Sequence, residues 1–411
     1  MRIWIFNPYD DIPGEGKSQR FWALAQVAAE MGHEVVWWSS DFSHRRKVQR
    51  AEQSVQHVAK EPSSMNFALR LVKTPAYSKN ISLARVWNHR AYGKGLYHDA
   101  VRAIDAGELA KPDVILASLP PMEGAISALR LRQRYGCKVV TDIMDAWPET
   151  LLQAFPRGLR PLGRILLWPY WRMLRTACVE SDGLSAQSHT FADFAMQHGA
   201  EARPYVCYLG AEKPKGCGNE EAVRDSKALR LLYLGAMGRS YDLETILEAV
   251  RLAREAGVQV ECVFVGDGEK RAALEASAVE GVRFTGYLQG DALASEMSAA
   301  DVGLVPFFPE SGVAVPYKAG DYLAYGMPLL STIDGELGAL IRKYACGGVY
   351  QAGSPEALSG LICRFAKDRE TLLAAKQGAR ACFDGHFDRS QIYPAFAKWI
   401  VSLVDSSPND A

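Results

Sequence analysis

The first forty residues set out a pattern of apolar runs that the rest of the chain repeats. "RIWIFN" (2–7) is a short continuous apolar run, "SQRFWALAQVAAEMG" (18–32) spaces its apolar residues at the helical period and closes on Gly32, and "HEVVWWSS" (33–40) is continuous again. Strands that are apolar throughout, rather than on alternate residues, are buried on both faces, so the pattern predicts a βαβ unit in a parallel sheet covered by helices. "PDVILASLP", "CKVVTDIMDAWP" and "SDGLSAQS" predict further strands, with "EGAISALRLRQRYG" a helix between them. From Gly210 to Lys227 the pattern gives way to "GAEKPKGCGNEEAVRDSK", charged and without apolar periodicity, which predicts a linker. Alternation then restarts with "LRLLYLGA", "LETILEAVRLAREAG", "VQVECVFVGDG", "VRFTGYL" and "ADVGLVPF". The expected architecture is α/β: two doubly wound Rossmann-like domains, 1–210 and 230–388, joined by a linker at 211–229 and bounding a central cleft. Residues 389–411 are expected to supply a C-terminal helix returning to the first domain, then a disordered tail.

Length and charge agree with two domains. The chain has 411 residues and equal numbers of Lys plus Arg and Asp plus Glu, so nothing in its net charge calls for nucleic acid. The apolar run at the amino terminus is too short for a signal peptide, and no run is long enough to span a membrane. The eight cysteines form no C-x-x-C pair and no spacing with histidine that would hold zinc. They are expected to be buried thiols in a cytoplasmic protein without a metal.

Candidate chemistry begins with a misfit in "VPYKAGDYLAYGMPLLS" (315–331). Pro316 and Gly326 bound a helix, which puts Lys318 in its first turn, facing the positive end of the helix dipole. A phosphate held by the helix terminus and the ammonium together would satisfy both, whereas a solvated lysine would carry only a small penalty. Arg239, with Gly235 and Gly238, lies in the turn after "LRLLYLG"; Gly266 and Gly268 repeat the strand–glycine–helix arrangement. Together with Lys318 they amount to two cations and several backbone donors on one rim, the equipment for a diphosphate. Asp321, one helical turn on, can accept hydrogen bonds from vicinal hydroxyls or pair with Lys318. "GEGKS" (14–18) resembles a P-loop, but Asp11 stands where that loop needs glycine. What survives is a loop in which Gly14 and Gly16 allow close approach to a ligand or simply form a tight turn.

With those residues in view, the second domain resembles the nucleotide-sugar domain of GT-B glycosyltransferases of retaining family four. The resemblance is nearest to the bacterial branch that builds capsule, O-antigen and exopolysaccharide. In the first domain "DIMDAWPE" (142–149) is similar to that branch's D-x-x-D-x-W-P-E stretch, and "YSKNISLAR" (77–85) is similar too. The resemblance implies a phosphate role for Lys318 and Arg239 and a ribose role for Asp321. It implies a donor site that includes Gly14, Gly16, Gly238, Gly266, Tyr287, Ser311, Gly312, Val313 and Ala314. The substrate would be a nucleoside-diphosphate sugar, UDP foremost, with no cofactor or metal, and the sugar would pass with retention to a glycan or polyprenyl-linked acceptor. Where the family often has a glutamate near the donor sugar this chain has Val313, so backbone amides of 311–314 would serve instead and the sugar is not legible.

Asp145 lies at the cleft side of a strand, where it would orient or deprotonate the acceptor or else cap the following helix. In "PRGLRPLGRILLWPYWRMLR" (156–175), Arg157, Arg160 and Arg164 with Trp168 and Trp171 suit either an anionic membrane surface, the inner face of the cell membrane, or a core helix with outward arginines. Two alternatives share the fold: a sugar-nucleotide 2-epimerase, which needs no second substrate, and a non-catalytic sugar-nucleotide binder.

Overall fold

The structure, a computed structural model, describes residues 1–16, 19–50, 67–153, 155–214 and 228–405. Most of the expected linker (215–227), Lys17 and Ser18 of the P-loop-like stretch, and the end of the tail (406–411) lie outside them. The chain divides into two compact units, Met1–Cys207 with Gln391–Ala411, and Tyr208–Ser390.

The first unit is built on β1 (Arg2–Phe6), β2 (Glu34–Ser40), β5 (Ala68–Val72), β6 (Val114–Leu119), β7 (Lys138–Ile143), β8 (Gly183–Ala186) and β9 (Tyr205–Val206), all parallel, in the order β5-β2-β1-β6-β7-β8-β9. A small antiparallel hairpin, β3 (Phe42–Ser43) and β4 (Val48–Gln49), follows β2. In β1 and β6 nearly every side chain is buried, as continuous apolar strands require. The helix Arg20–Glu30 ends just before Gly32, whose φ of 85° marks the left-handed stop that glycine supplies. The helix Arg389–Asp405 sets Tyr393, Phe396, Ala397 and Ile400 into the core of this unit beside Cys207 and Ile3.

The second unit has six parallel strands in the order β12-β11-β10-β13-β14-β15: β10 (Leu229–Leu234), β11 (Val260–Val265), β12 (Val282–Gly286), β13 (Val302–Val305), β14 (Leu329–Ser331) and β15 (Gly347–Val349). By position along the chain that order reads 3-2-1-4-5-6, the Rossmann order, and its direction reverses between β10 and β13. Ligands of such sheets bind beyond the strands' carboxyl ends at that reversal. The loop after β10, the loop after β13 and the helix Tyr317–Ala324 all meet there.

Candidate functional site

Lys318 sits at the second position of the helix Tyr317–Ala324, which begins after Pro316. It is not the solvated lysine that a surface position would give. The residue is 8% exposed, and among the described residues its Nζ has no hydrogen-bond partner. Three rings surround the ammonium, with centroids at 4.4 Å (Tyr233), 4.3 Å (Tyr241) and 5.1 Å (Phe307). Tyr233 comes from the end of β10, Tyr241 from the loop after it, and Phe307 from just after β13, so the cage is assembled at the sheet's reversal point. The rings favour a cation, yet burial pulls the lysine's pKa from 10.5 down to about 7. A buried ammonium at the positive end of a helix, with no counter-ion, is fitted to receive an anion. Neighbouring donors add to this. Among the described residues the amides of Ala314 and Val315 have no acceptor, and that of Val313 makes only a 3.5 Å contact with Ser311 Oγ. The Ser311 and Gly312 amides are used within their own turn, by the Phe308 and Pro309 carbonyls.

The glycines serve the backbone itself. Gly266, expected to offer its amide to a ligand, donates it to the Gly286 carbonyl at 2.8 Å, while the Gly235 amide donates to Val265 at 2.9 Å and the Met237 amide to Asp267 at 2.8 Å. These bonds zip the ends of β10, β11 and β12 together. A Cβ on Gly266 would overlap the Gly235 carbonyl oxygen and one on Gly268 would overlap the Met237 backbone, so glycine is required here by backbone packing against backbone. Gly235 also makes room for the lysine, since a Cβ there would lie 3.0 Å from Lys318 Nζ. Gly238 faces open space.

Arg239 follows the same β10 turn, but its side chain is 88% exposed and reaches Glu269 at 3.2 Å. Asp321 is half-buried on the face it shares with Lys318. Tyr287, directly after β12, is 62% exposed, and its hydroxyl accepts from Gln289 at 2.8 Å. The caging aromatics were not anticipated from the sequence. Their signal was weak: Tyr233 reads as a core strand residue, and Tyr241 and Phe307 as loop aromatics.

In the first unit Asp145 Oδ1 accepts from the Ala146 amide (2.7 Å) and Thr150 Oγ1 (3.1 Å), which fixes the turn into the helix Glu149–Leu152; burial raises its pKa. Its motif partner Asp142 is wholly internal. It pairs with Arg20 through Nε at 2.8 Å and Nη2 at 3.1 Å, both side chains being 0% exposed, and accepts from Ser185 Oγ at 2.8 Å. Arg20 lies over the Phe396 ring at 5.0 Å, joining the C-terminal helix to this pair. Gly16 packs on the Asp11–Arg45 ion pair, where a Cβ would collide with both groups, and Gly14 takes a φ of 86° with open space around it. Tight loop packing thus accounts for Gly16, and the left-handed backbone for Gly14.

The basic segment forms two helices, Arg160–Leu166 and Trp168–Glu180, each with proline in its first turn. Leu162, Ile165, Leu166 and Trp168 are exposed beside Arg157, Arg160 and Arg164. Trp171 departs from the expectation of an exposed aromatic: it stacks on His198 with centroids 5.4 Å apart. Among the described residues no helix is long and apolar enough to cross a membrane and no cluster could hold a metal ion.

Comparison with known proteins places this geometry. Residues 228–368, inside the second unit, match the family model described as glycosyl transferases group 1. The amylovoran biosynthesis glycosyltransferase AmsK of Erwinia amylovora is 21% identical over 192 residues, 44% of this chain; the match spans about half of that relative, 47% of its length. Among solved structures, Anabaena HepE in complex with UDP superposes with a TM-score of 0.66 at 13% identity, covering 98% of this chain and 100% of that one. Sucrose-phosphate synthase of Thermosynechococcus elongatus gives 0.68 at 13% identity (99% and 100%), and WaaG, a glycosyltransferase involved in lipopolysaccharide biosynthesis, 0.62 at 15% (97% and 99%). The fold is that of GT-B glycosyltransferases, two Rossmann-like units, and the match to group 1 glycosyl transferases falls within the second unit.

Proposed function

We propose that this protein transfers a sugar from a nucleoside-diphosphate sugar to an acceptor hydroxyl, with retention and without a metal, in the synthesis of a bacterial surface polysaccharide. The observation that carries this is Lys318, a buried, unpaired ammonium caged at the reversal point of a Rossmann sheet whose sequence matches group 1 glycosyl transferases. The leaving diphosphate would take the ammonium and the free amides of Ala314 and Val315, and exposed Arg239 would close on it by exchanging Glu269 for phosphate. Asp321 would hold the ribose and Tyr287 would contribute at the rim. HepE has been solved with UDP and with UDP-glucose, which supports UDP as the carrier here.

The acceptor is proposed to be lipid-linked. Between Glu149 and Glu180 the chain has no acidic residue, while Arg157, Arg160, Arg164, Arg172 and Arg175 alternate with exposed Leu162, Ile165 and Trp168. Such a surface suits an anionic bilayer, each arginine contributing about 1 kcal/mol near it. Asp145 is proposed to face the acceptor.

The test is release of UDP from a panel of UDP-sugars with a polyprenyl-diphosphate glycan, in EDTA. Acceptor-dependent release, lost in Lys318→Ala, is expected. A strict need for added Mg²⁺ or Mn²⁺ would overturn the metal-free mechanism, and conversion of the UDP-sugar to an isomer without acceptor would point to an epimerase.

A further inference from the structure

The carboxyl-end rim of the first unit holds a second cationic cluster that the donor site does not use. Tyr9 follows β1, His44 and Lys47 belong to the β3–β4 hairpin turn, and Tyr77 and Asn80 follow β5. Arg85 and His89 open the helix Leu83–Asp105, and Trp147 follows β7. The Arg85 guanidinium lies 4.6 Å from the Trp147 ring centre and 5.6 Å from that of Tyr9, and Lys47 Nζ lies 4.5 Å from that of Tyr77. Among the described residues every polar partner of these two cations is neutral. Arg85 donates to His89 Nε2 (3.3 Å), the Asn80 carbonyl (2.8 Å) and the Tyr9 hydroxyl (3.4 Å), and Lys47 donates to Asn80 Oδ1 (2.6 Å) and His44 Nδ1 (3.3 Å).

Apart from Lys318, the chain pairs cations that lose water with carboxylates: Arg20 with Asp142, Arg50 with Glu15 and Lys376 with Asp301. Here, among the described residues, no carboxylate reaches ion-pair distance of Arg85 or Lys47, although Asp145 lies near enough to feel the Arg85 charge. Burial, with Arg85 nearby, draws the Lys47 pKa down to about 8. The histidines complete a set of donors. His44 Nδ1 takes hydrogen bonds from Lys47 and the Tyr77 hydroxyl, which leaves Nε2 carrying the proton. His89 Nε2 takes bonds from Arg85 and Tyr9 (2.7 Å), so its buried Nδ1 carries a proton with no partner. Lys47 also holds a left-handed φ of 59°, a backbone cost retained where its ammonium meets this cluster.

We infer that Arg85, Lys47 and the two imidazoles bind an anionic group of the acceptor, a sugar carboxylate or a phosphate, beside Asp145. That the anion belongs to an acceptor rests on the glycosyltransferase function proposed above; anion binding at the cluster does not. The aromatic walls of Tyr9, Tyr77 and Trp147 lower the local dielectric and strengthen the charge recognition. They also supply ring faces for a sugar.

The test is calorimetric titration of the full chain, saturated with UDP, with three probes: methyl β-glucuronide, dimethylallyl diphosphate and neutral methyl β-glucoside. At least one anion is expected to bind more tightly than the glucoside. Arg85→Gln should weaken that binding by about tenfold or more. So should Asn80→Asp, which places an internal counter-ion beside Lys47 from an exposed loop and leaves the fold intact. A preference for glucuronide names an acidic sugar as the source, and a preference for the diphosphate names a lipid headgroup. The inference is overturned if neither anion binds, if the glucoside binds as tightly as the anions, or if both variants keep wild-type anion affinity. A separate UDP titration distinguishes the two proposals: absent UDP binding with Arg85-dependent anion binding removes the donor site and leaves the cluster.

Discussion

Replacing Lys318 by methionine should make the ligand-free protein more stable while removing its response to nucleotide. The folded-state pKa is about 7 against 10.5 for a free lysine, and each unit of such a shift is worth about 1.4 kcal/mol, so burying the ammonium costs roughly 5 kcal/mol. The three rings at 4.3 to 5.1 Å together return about 2–4 kcal/mol, which leaves a net penalty of about 1–3 kcal/mol. The sign follows from linkage. Because the folded value lies below the unfolded one, the unfolded chain binds more protons between about pH 7 and 10.5. Wild-type stability therefore gains from this group as pH rises through that window, and the full penalty applies below it. Urea unfolding of the ligand-free protein at pH 6 should show Lys318→Met ahead by about 1–3 kcal/mol, an advantage that shrinks toward pH 10. Millimolar UDP should raise the wild-type midpoint and leave that of the variant unmoved. A variant less stable than wild type at pH 6, or equally stabilised by UDP, would refute the reasoning.

Arg20→Met strands the Asp142 carboxylate inside the first unit and should cost about 3–5 kcal/mol, measured as a lowered thermal midpoint; an unchanged midpoint would contradict the buried pairing. Gly266→Ala forces a Cβ into the Gly235 carbonyl at a φ of 138° and should destabilise the second unit by more than about 1 kcal/mol in urea, with or without nucleotide present. Asp145→Asn keeps a carbonyl oxygen for the Ala146 amide and Thr150, so stability should stay within about 0.5 kcal/mol while turnover falls. Full turnover in that variant would reduce Asp145 to its turn.

How much of the site was legible differs residue by residue. Lys318 was found because a cation in a helix's first turn violates a local electrostatic preference, and local rules are visible in sequence. Whether the violation is solvated or buried depends on Tyr233 and Tyr241, nearly eighty residues away or more, and on Phe307 from another strand. The glycines were visible as glycines, but Gly16, Gly235, Gly266 and Gly268 are explained by what a Cβ would strike, and only packing shows that. Arg239 and Trp171 fell on the right segments with unexpected environments, one exposed and paired with Glu269, the other stacked on His198.

The sequence by itself determined the alternation of strand and helix and the parallel sheets, because burial on both faces of a strand and one face of a helix writes a short-range period into the chain. Tertiary structure alone decided the partnerships. Arg20 with Asp142 across 122 residues and a caged ammonium without a counter-ion among the described residues both depend on which surfaces lose water together. Desolvation sets the strength of every charge involved, and no local pattern encodes it.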